Sequence, residues 1–420
     1  MKLFILAFYR KHYEKILISL DQAIVSGSNF LIGLLISKLL GLDELGVYAF
    51  IWLLLMMSSS LIQNFISIPM INKYYGLKIL DSKIYIVNVF LLQLISVTLF
   101  SVVIYLLLIF PLNISFFITL SDNSISIPIL IFSYLMQDFI RRLFILTVNL
   151  TKLLLSDLFV NASQVCFLLF FINEPKIEFN NLIFFLAMTY LLGFIYGLDG
   201  YYFGKKSFRK IIEIINQHWH IAKWLLASAI LQWFAGNYFI VSAGNFLGTE
   251  SAGIIRIAQS IVGIMNIFFI ALEFYIPAKA VIIYSTYGRD YLLNYMFKLS
   301  LFGFLICLLF SIILIFTAEN LLSILYGVNY KQYSSIIICF SFFYIIVFLG
   351  YPMRFILRAM NKMKDMFWAY LFATIFSLLM AEYMIKKFEL WGVVLGLSIS
   401  QLIMQGWYIR AIINSKYNLK

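Results

Sequence analysis

The chain has 420 residues, 63 % apolar and 12 % charged, with 31 Lys and Arg against 19 Asp and Glu and a formal net charge of +12. Mean hydropathy is +0.96. A soluble globular domain carries about 25 % charged residues, so this balance excludes a soluble protein and puts most of the surface in lipid.

A helix needs about 20 apolar residues to cross a bilayer. Twelve such runs follow one another, at roughly 16–38, 46–70, 84–110, 127–148, 153–172, 180–203, 221–245, 252–276, 292–318, 333–359, 366–385 and 390–413. They are too long and continuous for the ~10-residue alternation of a membrane β-barrel. The expected fold is an all-α polytopic membrane protein. Met1–Phe8 is apolar but short, and Arg10-Lys11-His12 follow it, so it does not read as a cleaved signal. The first fifteen residues read as a cytoplasmic lead, a short interfacial helix being one form of it. The longest polar connections, near 204–220 and 111–126, leave no room for a further domain.

Polar residues inside the spans fall on helical faces. Span 1 carries Asp21, Ser28 and Asn29. Span 2 opens on Gly41-Leu-Asp-Glu-Leu-Gly46, carries Ser60, Gln63, Asn64 and Ser67, and closes on Ile68-Pro69. Span 4 leaves the membrane through Arg142, Asn149 and Lys152, and span 7 carries Gln232, Gly236 and Asn237. Span 8 opens on Gly248-Thr-Glu-Ser-Ala-Gly253 and closes on Ile276-Pro277. Between them Arg256, Gln259, Gly263, Asn266 and Glu273 form one stripe. Span 10 leaves the membrane through Arg354, Arg358, Asn361 and Lys364. A charge at membrane depth costs at least ~2.5–3.5 kcal/mol, so such residues face the protein interior or water. Ser, Asn and Gln also join helices to one another. Glu273 and Asp21 either line an interior or pair with Lys279 and Lys15 near the cytoplasmic ends.

The basic residues fix the topology. With the N-terminus inside, 25 of the 31 Lys and Arg fall on the cytoplasmic side, the six others being Lys38, Lys176, Arg256, Lys331, Lys386 and Lys387. This is the positive-inside bias, with both termini cytoplasmic, and it leaves no surplus charge to assign to nucleic acid. Cys166, Cys307 and Cys339 lie inside spans and match no metal site, and neither do His12, His218 and His220. No metal or cofactor is expected. Trp52 and Trp233 sit in central spans, where an indole can stack on a sugar ring, although nothing else selects them. A G-x-x-x-x-G-K-[ST] nucleotide loop is absent.

The second half reads as a copy of the first. Gly41 and Gly46 match Gly248 and Gly253 at an offset of 207, and Asn29 matches Asn237 at 208. The two Ile-Pro pairs also match at 208, Leu99-Phe100-Ser101 matches Leu309-Phe310-Ser311 at 210, and Arg142-x6-Asn149-x2-Lys152 matches Arg354-x6-Asn361-x2-Lys364 at 212. An offset of six spans makes the repeats parallel, and sites in transporters tend to lie between repeats. The expected lobes are 1–203 and 221–413, joined by a cytoplasmic linker 204–220 and followed by a tail 414–420.

Here the chain resembles the Wzx-type flippases of bacterial surface polysaccharides, within the multidrug/oligosaccharidyl-lipid/polysaccharide exporter superfamily. The residues that carry the resemblance are Leu40-Gly41-Leu-Asp-Glu-Leu-Gly46-Val-Tyr with Ile68-Pro69, Asp21-Gln22 with Ser28-Asn29-Phe30, Leu325-Tyr326-Gly327, and Trp391-Gly392-Val-Val-Leu-Gly396. The resemblance implies two six-helix lobes forming a V around a cavity lined by spans 1, 2, 7 and 8. It implies movement of an undecaprenyl-pyrophosphate-linked oligosaccharide from the cytoplasmic to the periplasmic leaflet of a bacterial inner membrane, by alternating access. The cavity candidates are then Arg256, Gln259, Asn266, Glu273, Asp21, Asn29, Gln63, Asn64, Gln232 and Asn237. Arg142, Lys152, Arg354, Arg358 and Lys364 are candidates for a cytoplasmic site for the anionic headgroup, or serve only the positive-inside rule. Expected partners are the lipid-linked substrate, membrane lipids, and the polymerase and chain-length regulator of the same pathway. The competing readings are a drug/cation antiporter, a peptidoglycan-precursor flippase, and a membrane polymerase or acyltransferase.

Overall fold

The structure is a computed structural model that describes residues 2–77, 79–110, 115–173, 177–198 and 208–414. Lys176, linker residues 204–207 and the tail from 415 lie outside the described residues. The chain divides into two units, one of Met1–Gly41 with Val47–Ile230 and one of Leu42–Gly46 with Leu231–Lys420. The described residues are helical throughout, with no strand among them.

The first unit holds α1 (Lys2–Leu40), most of α2 (Leu42–Ile62), a π-helical segment Gln63–Ser67, α3 (Ile68–Tyr74), α4 (Ile79–Ile109), α5 (Ser115–Leu120), α6 (Ser126–Leu146), α7 (Leu150–Phe170), α8 (Phe179–Tyr196) and the first half of α9 (Phe208–Leu247). Helix α6 is buried along most of its length and packs on α4, α7 and α8. The second unit holds the rest of α9, α10 (Thr249–Val262), α11 (Met265–Leu325), α12 (Ser334–Ala359) and α13 (Met363–Asn414). There α12 takes the central place, packed on α10, α11 and α13.

Nine described helices are long and apolar enough to span a bilayer, ten with the bent pair Ser115–Asn123 and Ser126–Leu146. Positive-φ breaks at Gly288 (80°) in α11 and Glu389 (52°) in α13 each divide a long helix in two. The result is the twelve-span order expected from the sequence.

Residues 208–220, inside the expected linker, are helical and continue into α9. Two local expectations change. The polar stripe of span 8 is not carried by one helix. The backbone breaks between α10 and α11 at Gly263 and Ile264, where Gly263 N–H returns to Gln259 O at 2.8 Å. The two Ile-Pro pairs do not end their helices in the same way. Before Pro69 the ladder widens to π register, with Ile68 N–H bonding Gln63 O, which makes room for a ring that has no N–H to donate. Pro277 instead lies inside α11, which runs on past it to the break at Gly288.

The duplication is visible in the backbone. Gly41 and Gly248 take φ of 91° and 92° just before α2 and α10, a region essentially reserved for glycine. Within the second unit the two copies of the motif meet reciprocally. A Cβ on Gly46 would run into the Thr249 carbonyl, and a Cβ on Gly253 would lie 2.6 Å from the Leu42 carbonyl oxygen. Thr249 Oγ1 donates to Asp43 Oδ1 at 2.7 Å across the same contact.

The second landmark corrects a register. Helix α6 ends at Leu146 and α7 begins at Leu150, while α12 ends at Ala359 and α13 begins at Met363, an offset of 213 at both points. Val148 and Asn361 share a φ of 58°. The closing bonds agree, Asn149 N–H to Phe144 O and Lys362 N–H to Leu357 O, both at 2.8 Å. Arg354 is therefore the counterpart of Arg141, and the letter match to Arg142 is one residue out. The tandem Arg141-Arg142 offered two partners, and helix geometry selects the first.

Candidate functional site

The first unit buries a network of charges around α6. Arg141 Nε donates to Asp157 Oδ2 at 2.6 Å and its Nη2 to Asp21 Oδ2 at 3.1 Å. Gln137 Nε2 holds the other Asp157 oxygen at 2.8 Å. The side chains of Asp21 and Asp157 are 2 % and 1 % exposed. One guanidinium thus joins α1, α6 and α7, and Asp21 Oδ1 finds no partner among the described residues. Beside it Arg142 holds Asp138 at 3.1 Å, an i,i+4 pair on α6. Gln63 Nε2, at the start of the π segment, reaches Asp138 Oδ2 at 3.1 Å. Aromatic rings follow: Trp52 stands edge-on to Tyr134, and Tyr134 to Tyr190, with centroids 6.5 and 5.2 Å apart.

The same frame in the second unit has a different lining. Arg354 occupies the place of Arg141, Tyr370 that of Asp157 and Tyr351 that of Asp138, all at an offset of 213. The guanidinium carbon of Arg354 sits 4.1 Å from the centroid of the Tyr351 ring, a cation–π distance. Tyr351 also hydrogen-bonds Arg354, and Tyr370 hydrogen-bonds Tyr408. Tyr370 and Tyr408 are buried, and together with Tyr351 and Glu273 they are the groups whose charge Arg354 feels. Arg256 lies within electrostatic reach of Tyr326 and Tyr344, and Asn266 hydrogen-bonds Tyr344.

The sequence candidates sort as follows. Asp21 pairs with Arg141, the side chain of Lys15 lying outside the described residues, and Lys279 Nζ lies 4.8 Å over the Tyr295 ring rather than pairing with Glu273. Gln63 and Arg142 join the buried network. Asn64 and Asn237 bond carbonyls one turn back, Ser60 O and Trp233 O. Asn29, Gln259, Arg256 and Lys152 are half-buried, while Gln232, Asn266, Glu273, Arg358 and Lys364 are exposed. Asp157, Gln137, Arg141 and the tyrosines 351, 370 and 408 were not among the candidates. Asp157 had a signal of its own, as the sole acid within the apolar run of α7.

Other basic residues near Arg354 have structural roles. Lys362 Nζ and Arg289 Nη2 donate to Ala411 O and Ile412 O, both at 2.9 Å, capping carbonyls in the last turn of α13. In the first unit His218 is buried with its Nε2 2.8 Å from Tyr85 OH. It stands near a cavity of about 160 Å³ lined by Lys73, Asp81, Tyr85, Lys210, Glu213 and Gln217 among others. Among the described residues no group of three His, Cys, Asp or Glu is placed to hold a metal.

No protein-family model and no curated protein matches the sequence. Solved structures do. A multidrug resistance MATE family transporter of the MOP superfamily, in an inward-facing conformation, matches with TM-score 0.77 at 12 % identity over 97 % of this chain and 100 % of its own. The lipid II flippase MurJ matches with TM-score 0.72 at 13 % identity over 94 % and 87 %. A MOP superfamily transporter from Pyrococcus furiosus matches with TM-score 0.59 at 13 % identity over 96 % and 95 %. The fold is that of the MATE and MOP transporters. At these identities the likeness speaks for the fold alone.

Proposed function

We propose that the chain is a flippase that moves undecaprenyl-pyrophosphate-linked oligosaccharide units, for O-antigen or capsule, from the cytoplasmic to the periplasmic leaflet. The two lobes alternate access, both termini stay cytoplasmic, and the protein works in a bacterial inner membrane beside the polymerase and chain-length regulator that use its product. The observation that carries this reading is the pairing of a fold shared with a lipid flippase with half-buried arginines among tyrosines, at Arg256 and Arg354. A pyrophosphate-linked sugar asks for cationic and aromatic groups inside an apolar protein. The surplus carboxylate in the Asp21–Arg141–Asp157 cluster supports coupling to a proton or cation gradient, with Asp21 as the group that changes partner.

Deleting the gene tests the reading: surface polysaccharide is lost and lipid-linked units accumulate in the cytoplasmic leaflet. Unchanged surface polysaccharide sinks it. A drug/cation antiporter is the second reading, favoured by the same surplus carboxylate. Proton-driven dye efflux from inverted vesicles that requires Asp21 would replace the first reading with the second.

A further inference from the structure

We propose that Arg354, with the hydroxyls of Tyr351, Tyr370 and Tyr408, is a subsite of the second unit that binds a phosphate or pyrophosphate group. The inference rests on the flippase reading and assigns that substrate's anionic group to named residues.

The argument is a comparison of the molecule with itself. In the first copy the guanidinium of Arg141 is held by two carboxylates, Asp157 and Asp21. In the second copy the residue equivalent to Asp157 is Tyr370 and the one equivalent to Asp138 is Tyr351. Asp21 has Ala229 at its counterpart by the offset of 208 that Asn29 and Asn237 define. Every carboxylate that neutralises the first copy has thus been replaced. Glu273 lies in electrostatic range of Arg354, but among the described residues no carboxylate forms an ion pair with it.

What remains is a cation with a phenol over one face and phenol hydroxyls nearby. Tyrosine hydroxyls and the free edge of a guanidinium are all donors, and together they suit a tetrahedral oxyanion. A planar guanidinium presents two parallel N–H bonds to phosphate, which an ammonium cannot. Arg358, one turn further on and exposed, adds a second positive charge within electrostatic reach of Tyr408. Lys362 and Arg289 are occupied by the carbonyls of α13, whereas no such carbonyl bond holds Arg354 or Arg358 among the described residues. Snorkelling to the interface is the competing account of Arg354. It requires no tyrosine hydroxyls, and it predicts that lysine serves as well as arginine.

The test uses the full chain in lipid nanodiscs, titrated calorimetrically with farnesyl diphosphate and separately with inorganic pyrophosphate. The wild type binds at least one of them saturably. Arg354→Gln weakens binding about ten- to a hundred-fold, the span expected for hydrogen bonds to a charged group. Arg354→Lys recovers only a small part of that loss. Tyr370→Phe and Tyr408→Phe each weaken binding about three- to ten-fold, and being near-isosteric they keep the test alive if Arg354→Gln does not fold. Lys386→Gln, which removes an exposed charge paired with Glu382, binds as the wild type does. Tighter binding of farnesyl diphosphate assigns the subsite to a lipid-linked group, and equal binding assigns it to a free anion of the same chemistry.

A wild type that binds neither probe overturns the proposal. So does an Arg354→Gln protein that elutes as the wild type and binds equally well, or an Arg354→Lys protein that binds like the wild type. If binding depends on Arg354 but the wild-type gene fails to restore polysaccharide to a deletion strain, the flippase reading falls and the subsite stands. If the gene restores polysaccharide and binding ignores Arg354, the subsite alone falls.

Discussion

At the scale of single residues the governing fact is that Arg141 serves two carboxylates of unequal standing. Asp157 takes the shorter bond, 2.6 Å, and is further held by Gln137, whereas Asp21 takes the longer, 3.1 Å, and keeps one oxygen unpartnered. Removing one partner of a buried pair costs about 3–5 kcal/mol, because the other charge is stranded. Asp157→Asn leaves Arg141 only the longer bond to Asp21, so it strands no charge and is expected to cost less than that, about 1–3 kcal/mol. Asp21→Asn leaves the Arg141–Asp157 pair in place and relieves an excess negative charge, so it is expected to cost about 1 kcal/mol or less. Thermal unfolding of the two variants in one detergent checks the order, and equal melting points would refute it. The sequence made Asp21 legible because a lone acid inside an apolar run carries its own cost. Asp157 obeys the same rule but stands among Ser156, Asn161 and Gln164 in α7, and reads there as one more polar residue on a helix. The partner of either acid was hidden, since Arg141 lies 120 and 16 positions away from Asp21 and Asp157.

At the scale of elements, the paired motif on α2 and α10 was legible as a repeat but not as a contact. Repetition in a sequence says that two segments share a shape, and says nothing of whether they touch. The backbone supplies the reason for the second glycine of each copy: Gly46 faces the Thr249 carbonyl and Gly253 the Leu42 carbonyl, too close for any side chain. Gly46→Ala and Gly253→Ala each force a backbone shift, and overpacking of this kind costs about 1–3 kcal/mol. Gly27→Ala on α1 meets nothing within 4 Å and is expected to gain up to about 1 kcal/mol from helix propensity. Melting temperatures of the three purified variants decide it, and a Gly46→Ala protein as stable as Gly27→Ala would contradict the contact. Pro69 belongs to the same scale. The π segment before it sets where Gln63 meets Asp138. Pro69→Ala permits ordinary α register, in which Gln63 and Ser67 shift relative to α6. Cysteine accessibility at a Gln63→Cys site, compared with and without Pro69→Ala, is expected to change.

For the whole molecule, composition and hydropathy carried most of the fold. Twelve apolar runs and the positive-inside bias follow directly from what lipid tolerates, and the helices follow the order of those runs. The lining was not legible, because it depends on which of two duplicated arginines kept its carboxylates. Divergence of the copies is then itself a prediction about function. Tyr370→Asp places a carboxylate where Asp157 stands in the first unit and rebuilds an ion pair around Arg354. If the second arginine is kept unneutralised for an anionic substrate, this variant still folds, the new partner for the half-buried Arg354 offsetting part of the packing lost with the Tyr370 ring. It nevertheless fails to carry lipid-linked units. The measurement is complementation of a deletion strain, with surface polysaccharide expected to fall at least about ten-fold, the factor that 1.4 kcal/mol of lost binding represents. Tyr370→Phe, which removes the hydroxyl without adding charge, is expected to retain much of the polysaccharide and so separates neutralisation from loss of a donor. Full complementation by Tyr370→Asp at normal protein levels would mean that the arginine of the second copy serves the frame and not the cargo.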